Sequence, residues 1–163
     1  VIQTLVDVVS KNGNLLLNIP VRANGTIDEL EQLIVEEVGQ WMKINSECIY
    51  STPPWKVYGE GPAMAEVAPI NAQGFNEGKG KPFTAEDIRF TQKHGSLYAT
   101  TMLIPQNKVL IKSLAETNAS DVHLIGYNDK LTWKNTNDGL LIELPEQMPS
   151  SIASVFKIEG VLS

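Results

Sequence analysis

The sequence predicts an α+β chain in two parts: a helix–strand–helix segment in the style of a β/α repeat, then an antiparallel β-sandwich. Three observations carry this. Apolar residues recur with helical spacing over residues 1–10 and again over 30–42. Between those stretches Leu15, Leu16 and Leu17 run together without alternation. From Asp87 onward the apolar period falls to two, with a turn signal every eight to twelve residues or so, the spacing of a sandwich.

The first helix carries Ile2, Leu5, Val6 and Val9 on one face, at the i, i+3, i+4, i+7 spacing. Lys11-Asn12-Gly13 is its stop, with Gly13 suited to a left-handed C-cap. A helix that begins in mid-pattern at Val1, with no cap before it, reads as one that continues a longer chain. The alternative is a mature end left by removal of a signal segment. Asn14 to Ile19 comes next as a short strand. Its unbroken leucines suit burial on both faces, as in a parallel sheet wrapped by helices, and Pro20 ends it. Val21 to Gly25 is a loop. Thr26 and Glu29 have the spacing of a capping box, opening a second helix that runs to about Asn45. Its apolar stripe is Leu30, Leu33, Ile34, Val38, Trp41 and Met42. One strand cannot make a sheet, so the rest of that sheet is expected from residues outside this sequence or from another chain.

Residues 51–86 read as a crossing between domains. Ser51-Thr52-Pro53-Pro54-Trp55 and Gly59-Glu60-Gly61-Pro62 are turn-rich, and Gly74 to Lys81 is a Gly/Lys-rich stretch read as mobile. The sandwich then occupies 87–163. Its expected strands are Ile88–Gln92, Leu97–Leu103, Val109–Leu114, Val122–Gly126, Leu131–Lys134, Leu140–Leu144 and Ser154–Ile158.

Composition narrows the function. With 42% hydrophobic and 20% charged residues among 163, the chain can bury a sizeable core. A net charge of −6, without runs of Lys or Arg, argues against nucleic acid or an anionic membrane surface as partner. No apolar stretch approaches the ~18 residues of a membrane helix. Cys48 is alone and cannot form an internal disulfide. His94 and His123 lie far apart, so no metal cluster is visible, and neither histidine has the partners of a catalytic triad. No P-loop or dinucleotide fingerprint is present.

The run Leu5-Val6-Asp7-Val8-Val9-Ser10-Lys11-Asn12-Gly13-Asn14-Leu15-Leu16-Leu17-Asn18-Ile19-Pro20 resembles the segment near the end of the catalytic barrel in family 29 glycoside hydrolases, the α-L-fucosidases. The likeness continues through Asn24-Gly25-Thr26-Ile27, Gly39-Gln40-Trp41, Asn45 to Tyr50, Pro54-Trp55-Lys56 and Tyr58 to Pro62. Asp87 to Thr91 and Leu97-Tyr98-Ala99 are similar to the opening strands of that family's C-terminal sandwich. Two departures, Pro20-Val21 and Ser51-Thr52-Pro53-Pro54-Trp55, lie in loops and remove no catalytic group.

The resemblance implies that residues 1–50 are the last helix, strand and helix of a (β/α)₈ barrel, that 51–86 cross to the next domain, and that 87–163 are a sandwich packed on that barrel. It implies an α-L-fucosidase, which releases terminal α-L-fucose from oligosaccharides or glycoconjugates with retention, through a covalent glycosyl-Asp intermediate and without a metal or other cofactor. Retention needs two carboxyl groups about 5 Å apart across the glycosidic bond. In this family both lie upstream of the segment matched here, so no catalytic residue is assigned in this chain and the chain alone is expected to be inactive. Its partner is then the upstream barrel segment. The family's habit implies a periplasmic or extracellular protein.

Barrel active sites form at the C-terminal ends of the strands. That makes Asn18 and Arg22 the candidate substrate contacts, against the plainer readings of a loop cap and a solvated charge. Trp55 and Tyr58 are a sugar-stacking platform or, with more to recommend it beside the prolines, a wedge between the two domains. Asp7 is expected in a surface or interdomain pair, and Glu47 as a hydrogen-bond acceptor at the helix end. Asp28, Glu29 and Glu31 suit the dipole at a helix start. Trp133, Tyr98 and Tyr127 read as core or edge packing, and His94 and His123 as exposed. The rival reading is a stand-alone carbohydrate-binding or structural β-sandwich with a helical extension. In that case Leu15-Leu16-Leu17 must find cover within the chain.

Overall fold

A computed structural model describes residues 1–65 and 82–162. The Gly/Lys-rich stretch 74–81 lies outside the described residues.

The first helix, α1, spans Ile2–Ser10 and the second, α2, Glu29–Asn45. Both lie within a residue or two of their expected limits, because helical periodicity is a local signal. The caps differ from expectation. Asn12, not Gly13, takes the left-handed conformation after α1, with φ 63°. The Asn12 amide donates to the Val9 carbonyl and the Gly13 amide to that of Val8, both at 2.9 Å, which is the Schellman pattern. Gly13 serves by its lack of a side chain: a Cβ there would lie 2.8 Å from Val8 Cγ1. At α2 the capping box does not form. Thr26 Oγ1 donates to Asn24 Oδ1 instead, and Asp28 caps the helix by accepting from the Leu30 amide.

The strand expected over 14–19 is absent: residues 13–20 carry no regular structure. A parallel strand exists only through neighbours on either side, and among the described residues none flanks this segment. Leu16 is 86% exposed. The apolar stripe of α2 divides in the same way. Trp41 is buried and Val38 and Met42 pack against the core, whereas Leu30 and Leu33, at 72% and 58% exposure, face open space.

The rest is two antiparallel sheets. In chain order the strands are β1 (Pro54–Glu60), β2 (Ile88–Lys93), β3 (Ser96–Thr101), β4 (Lys108–Ile111), β5 (Asp121–Leu124), β6 (Trp133–Thr136), β7 (Gly139–Glu143) and β8 (Ser154–Glu159). Five form one sheet in the order β1-β2-β3-β8-β5, and three form the other as β4-β7-β6. Each of the seven expected strands has its counterpart, although the third ends at Ile111 and passes into a 3-10 turn over Lys112–Leu114. β1 is an addition to the expected set. It lies inside the stretch read as an irregular crossing, and it pairs with β2 at the sheet's edge, where prolines are tolerated.

Alternation on the five-stranded sheet separates two cores. Ile88, Phe90, Leu97, Ala99, Val122, Leu124, Phe156 and Ile158 point toward the three-stranded sheet and meet Val109, Ile111, Leu140 and Ile142. Tyr98 and Val155 point the other way, onto Ile2 and Val6 of α1, Trp41 of α2, and Cys48 and Ile49 just beyond it. The molecule therefore has three layers: helices, five strands, three strands. Each buried large side chain contributes about 1.5–3 kcal/mol by leaving water. Every residue of β3, shared by both cores, is buried.

Candidate functional site

Two regions hold the candidate substrate contacts and the carboxylates Asp7, Asp28 and Glu47 singled out from the sequence. The first is the loop between α1 and α2. It closes on itself: Val21 and Ile27 form an antiparallel bridge, the Arg22 amide donates to the Thr26 carbonyl, and the Gly25 amide donates to that of Arg22, both at 2.8 Å. Arg22 Nη2 donates to Asp28 Oδ2 at 2.7 Å, with both side chains about half exposed. The Arg22 guanidinium, and after it the Leu30 amide, hold the Asp28 carboxyl below its ordinary range. A general acid in glycoside hydrolysis needs the opposite displacement. Asn18 stands exposed on the same loop.

The second region is the seam between the helices and the five-stranded sheet. Arg89 projects from β2 into this seam and is 3% exposed. Its Nε donates to Asp7 Oδ1 at 2.6 Å, and its Nη1 donates to the Ile88 carbonyl at 3.1 Å. The guanidinium lies 5.1 Å from the centroid of Phe83 and 5.8 Å from that of Tyr58, within cation–π range. Asp7 also accepts from Lys11 Nζ at 2.7 Å, one helical turn on, and Lys11 covers Tyr58 at 5.1 Å. Taking one partner from a buried pair strands the other charge, at a cost of about 3–5 kcal/mol. Around this pair, Gln3 Nε2 donates to the Met102 carbonyl at 2.6 Å and Trp41 Nε1 to that of Ala153 at 3.0 Å. Glu47 accepts from the Tyr98 hydroxyl at 3.2 Å and lies 3.7 Å from Lys157 Nζ.

A further carboxylate fastens the sheet's edge. Asp87 is fully buried and accepts from the Ala63 amide, the Thr84 amide and the Thr84 hydroxyl, at 2.7, 2.7 and 2.9 Å. Gly61, at φ 115°, makes room for it, since a Cβ there would lie 2.6 Å from Asp87 Cα. Glu60 receives the amides of Lys112 and Ser113 at 2.9 and 2.7 Å, capping the 3-10 turn after β4.

Several expectations change place. Asp7 is in a pair between segments, as expected, and its partner is Arg89. Glu47 is an acceptor, reaching across to the sheet and not only to its own turn. Trp55 belongs to the sandwich's interior, its ring edge-on to Phe90 with centroids 5.2 Å apart. Neither face is open to a sugar, and it is not at the seam. Tyr58 is at the seam, half-buried under two cations. Tyr98 packs on the helix side of its sheet, while Tyr127 and Trp133 lie against the inter-sheet core. His94 and His123 are exposed. The sequence reasoning missed Arg89 and Asp87. The available signal was a charge on either side of Ile88 at the mouth of an apolar strand, where an unpaired charge would be costly.

The geometry serves to hold elements in place. Asp7, Asp87, Glu60 and Glu47 are each engaged by the donors named above, and among the described residues no group of three or more His, Cys, Asp or Glu is placed to hold a metal ion.

Two family profiles match the chain: "Alpha-L-fucosidase" over residues 1–47 and "Alpha-L-fucosidase C-terminal domain" over residues 81–159. The tissue alpha-L-fucosidase of Mus musculus is 32% identical over 157 residues, covering 95% of this chain and 30% of that protein. The tissue alpha-L-fucosidase of Homo sapiens is 30% identical over 167 residues, covering 99% and 31%. Among solved structures, Thermotoga maritima alpha-fucosidase in complex with a mechanism based inhibitor matches with a TM-score of 0.72 at 28% identity, over 95% of this chain and 32% of that one. The same enzyme in complex with fucose matches with a TM-score of 0.70. The chain thus spans about three-tenths of the length of the relatives it matches.

Proposed function

Because this chain belongs to the α-L-fucosidase family, whose C-terminal portion it matches, we infer that the whole protein is a retaining glycoside hydrolase that releases terminal α-L-fucose from fucosylated oligosaccharides or glycoconjugates. The observation that carries this is the match of two successive family profiles in their expected order along one chain. The catalytic Asp and Glu belong to the upstream part, and this chain supplies the last helix, strand and helix of the barrel together with the sandwich. The open apolar face supports that role. Leu16, Leu17, Leu30, Leu33 and Ile34 are exposed here, and a barrel strand with its following helix buries such residues against neighbouring strands. In that setting Asn18 and Arg22 border the pocket mouth, where they orient sugar hydroxyls without taking part in proton transfer. The same reading takes the reaction to proceed without a cofactor and the protein to work in the periplasm or outside the cell.

The rival, a stand-alone binding module, is disfavoured by the same leucines, which find no cover among the described residues. An aryl α-L-fucoside assay tests the reading. The 163-residue chain should be silent by itself, and activity should appear on mixing it with a separately produced upstream barrel segment from a relative. Turnover by the chain alone would place catalytic carboxylates within it. Silence on mixing, from a barrel segment that does bind the chain, would overturn the role given to this segment.

A further inference from the structure

We infer that Arg89 is a positioning residue for fucoside hydrolysis, acting from the sandwich through Asp7 on the segment that carries Asn18; this rests on the function proposed above.

Three observations support it. The Arg89 guanidinium is fixed on several sides: by Asp7 at 2.6 Å, by the Ile88 carbonyl at 3.1 Å, and by the rings of Phe83 and Tyr58. Such a group has one orientation, and the planar Arg fork suits it better than a Lys ammonium would. Next, its partner stands on α1, three residues before the helix ends. The Schellman turn at Asn12 and the contact of Gly13 with Val8 then lock α1 to the start of the loop. Finally, Asn18 lies only five residues beyond Gly13, so it stays within about 17 Å of that anchor however the segment runs. Displacement of α1 along the seam therefore moves the anchor from which that segment runs to the pocket edge. Trp41 and Gln3 fasten the helices to the sheet through backbone carbonyls, whereas Arg89 ties α1 to the five-stranded sheet by a charged side chain.

The test uses the intact enzyme and aryl α-L-fucoside kinetics on Arg89→Met, Arg89→Lys and Asp7→Asn. The expected result is a fall in kcat of about tenfold to a hundredfold for Arg89→Met, the scale of an ångström-sized misplacement from outside the chemistry, with KM little changed. Asp7→Asn should show a smaller fall, and Arg89→Lys should recover part of the loss. Phe90→Leu, on the opposite face of the same strand, provides the stability control: it should lower the melting temperature and leave kcat unaltered. Should Arg89→Met fail to fold, Asp7→Asn is isosteric and sits at the more open end of the pair. Variants of Arg89 and Asp7 that lose thermal stability as Phe90→Leu does, yet keep wild-type kcat, would overturn the inference. A wild-type protein that releases no fucose would instead overturn the functional reading beneath it.

Discussion

Single side chains decide where this molecule is sensitive to pH. Burial, and then the neighbouring Glu47 charge, push the Tyr98 phenol up to about 12, while burial above all pushes the Cys48 thiol to about 12. In the unfolded chain these groups release their protons near 10.0 and 9.0. Across that window the folded state retains protons that the unfolded state gives up. Stability is thus intact below about pH 9 and falls as pH rises toward about 12. Thermal unfolding followed from about pH 8 to about 11.5 should give a melting temperature that declines above about 9, and Tyr98→Phe should decline less steeply above about 10. Identical slopes in the two proteins would mean that Tyr98 is free to ionise in the fold. Neither the Tyr98–Glu47 contact nor the Asp7–Arg89 pair was legible in the sequence. Their partners stand 51 and 82 residues apart, and spacing speaks only for neighbours. What could be seen was that Asp7 and Glu47 were poor candidates for chemistry, because each had a simpler structural use.

At the scale of elements, periodicity is a good guide wherever an element is held by one face. Both helices and seven strands lie close to where their patterns put them. It fails for Leu15-Leu16-Leu17, since a strand's existence depends on edges that the sequence of the strand does not contain. It fails in the other direction for β1, where Pro54 and Gly59 look like punctuation but sit on a sheet edge that accepts them. α2 shows both cases in one helix: its second half rests on the sheet, and its first half overhangs. Exposed apolar stripes promote association. Leu30→Gln combined with Leu33→Gln should therefore reduce self-association of the chain in sedimentation velocity, while shifting its unfolding by less than about 0.5 kcal/mol. A large loss of stability would show that the overhang is covered by the chain's own residues.

The whole molecule is built around a sheet with a core on each side. Trp41 reports on the helix side and Trp55 on the inter-sheet side. Because β3 and β8 contribute to both cores, the layers should unfold together. Urea titrations of Trp41→Phe and Trp55→Phe, each reporting the tryptophans that remain, should agree in m-value and each show one transition. A separate early transition from the helix side would mean that α1 and α2 detach as a unit. The sandwich class was legible because seven short strands with turn signals between them leave few alternatives. The third layer was expected only through the family resemblance, as a barrel end against the sandwich, and the residues that join the two were not legible. A barrel accounts for both helices by their apolar stripes alone, whereas Trp41, Gln3 and Asp7 tie them to the sandwich as well, through partners far off in the chain.

β3 has a different meaning for the chain's history. A strand with one wet face offers every second position to substitution at little cost. The six residues from Ser96 to Thr101 offer none, as all are buried. A change at Leu97 or Ala99 must suit the packing between the sheets, and a change at Tyr98 or Thr100 must suit the helices. Drift along this strand is thus filtered from two sides, and a relative that altered it would need matched changes in two layers at once. The exposed His94-Gly95 turn just before it is filtered by backbone shape and not by packing: its residues hold φ 52° and 87°, so the rule for substitution changes in kind within two positions of the chain.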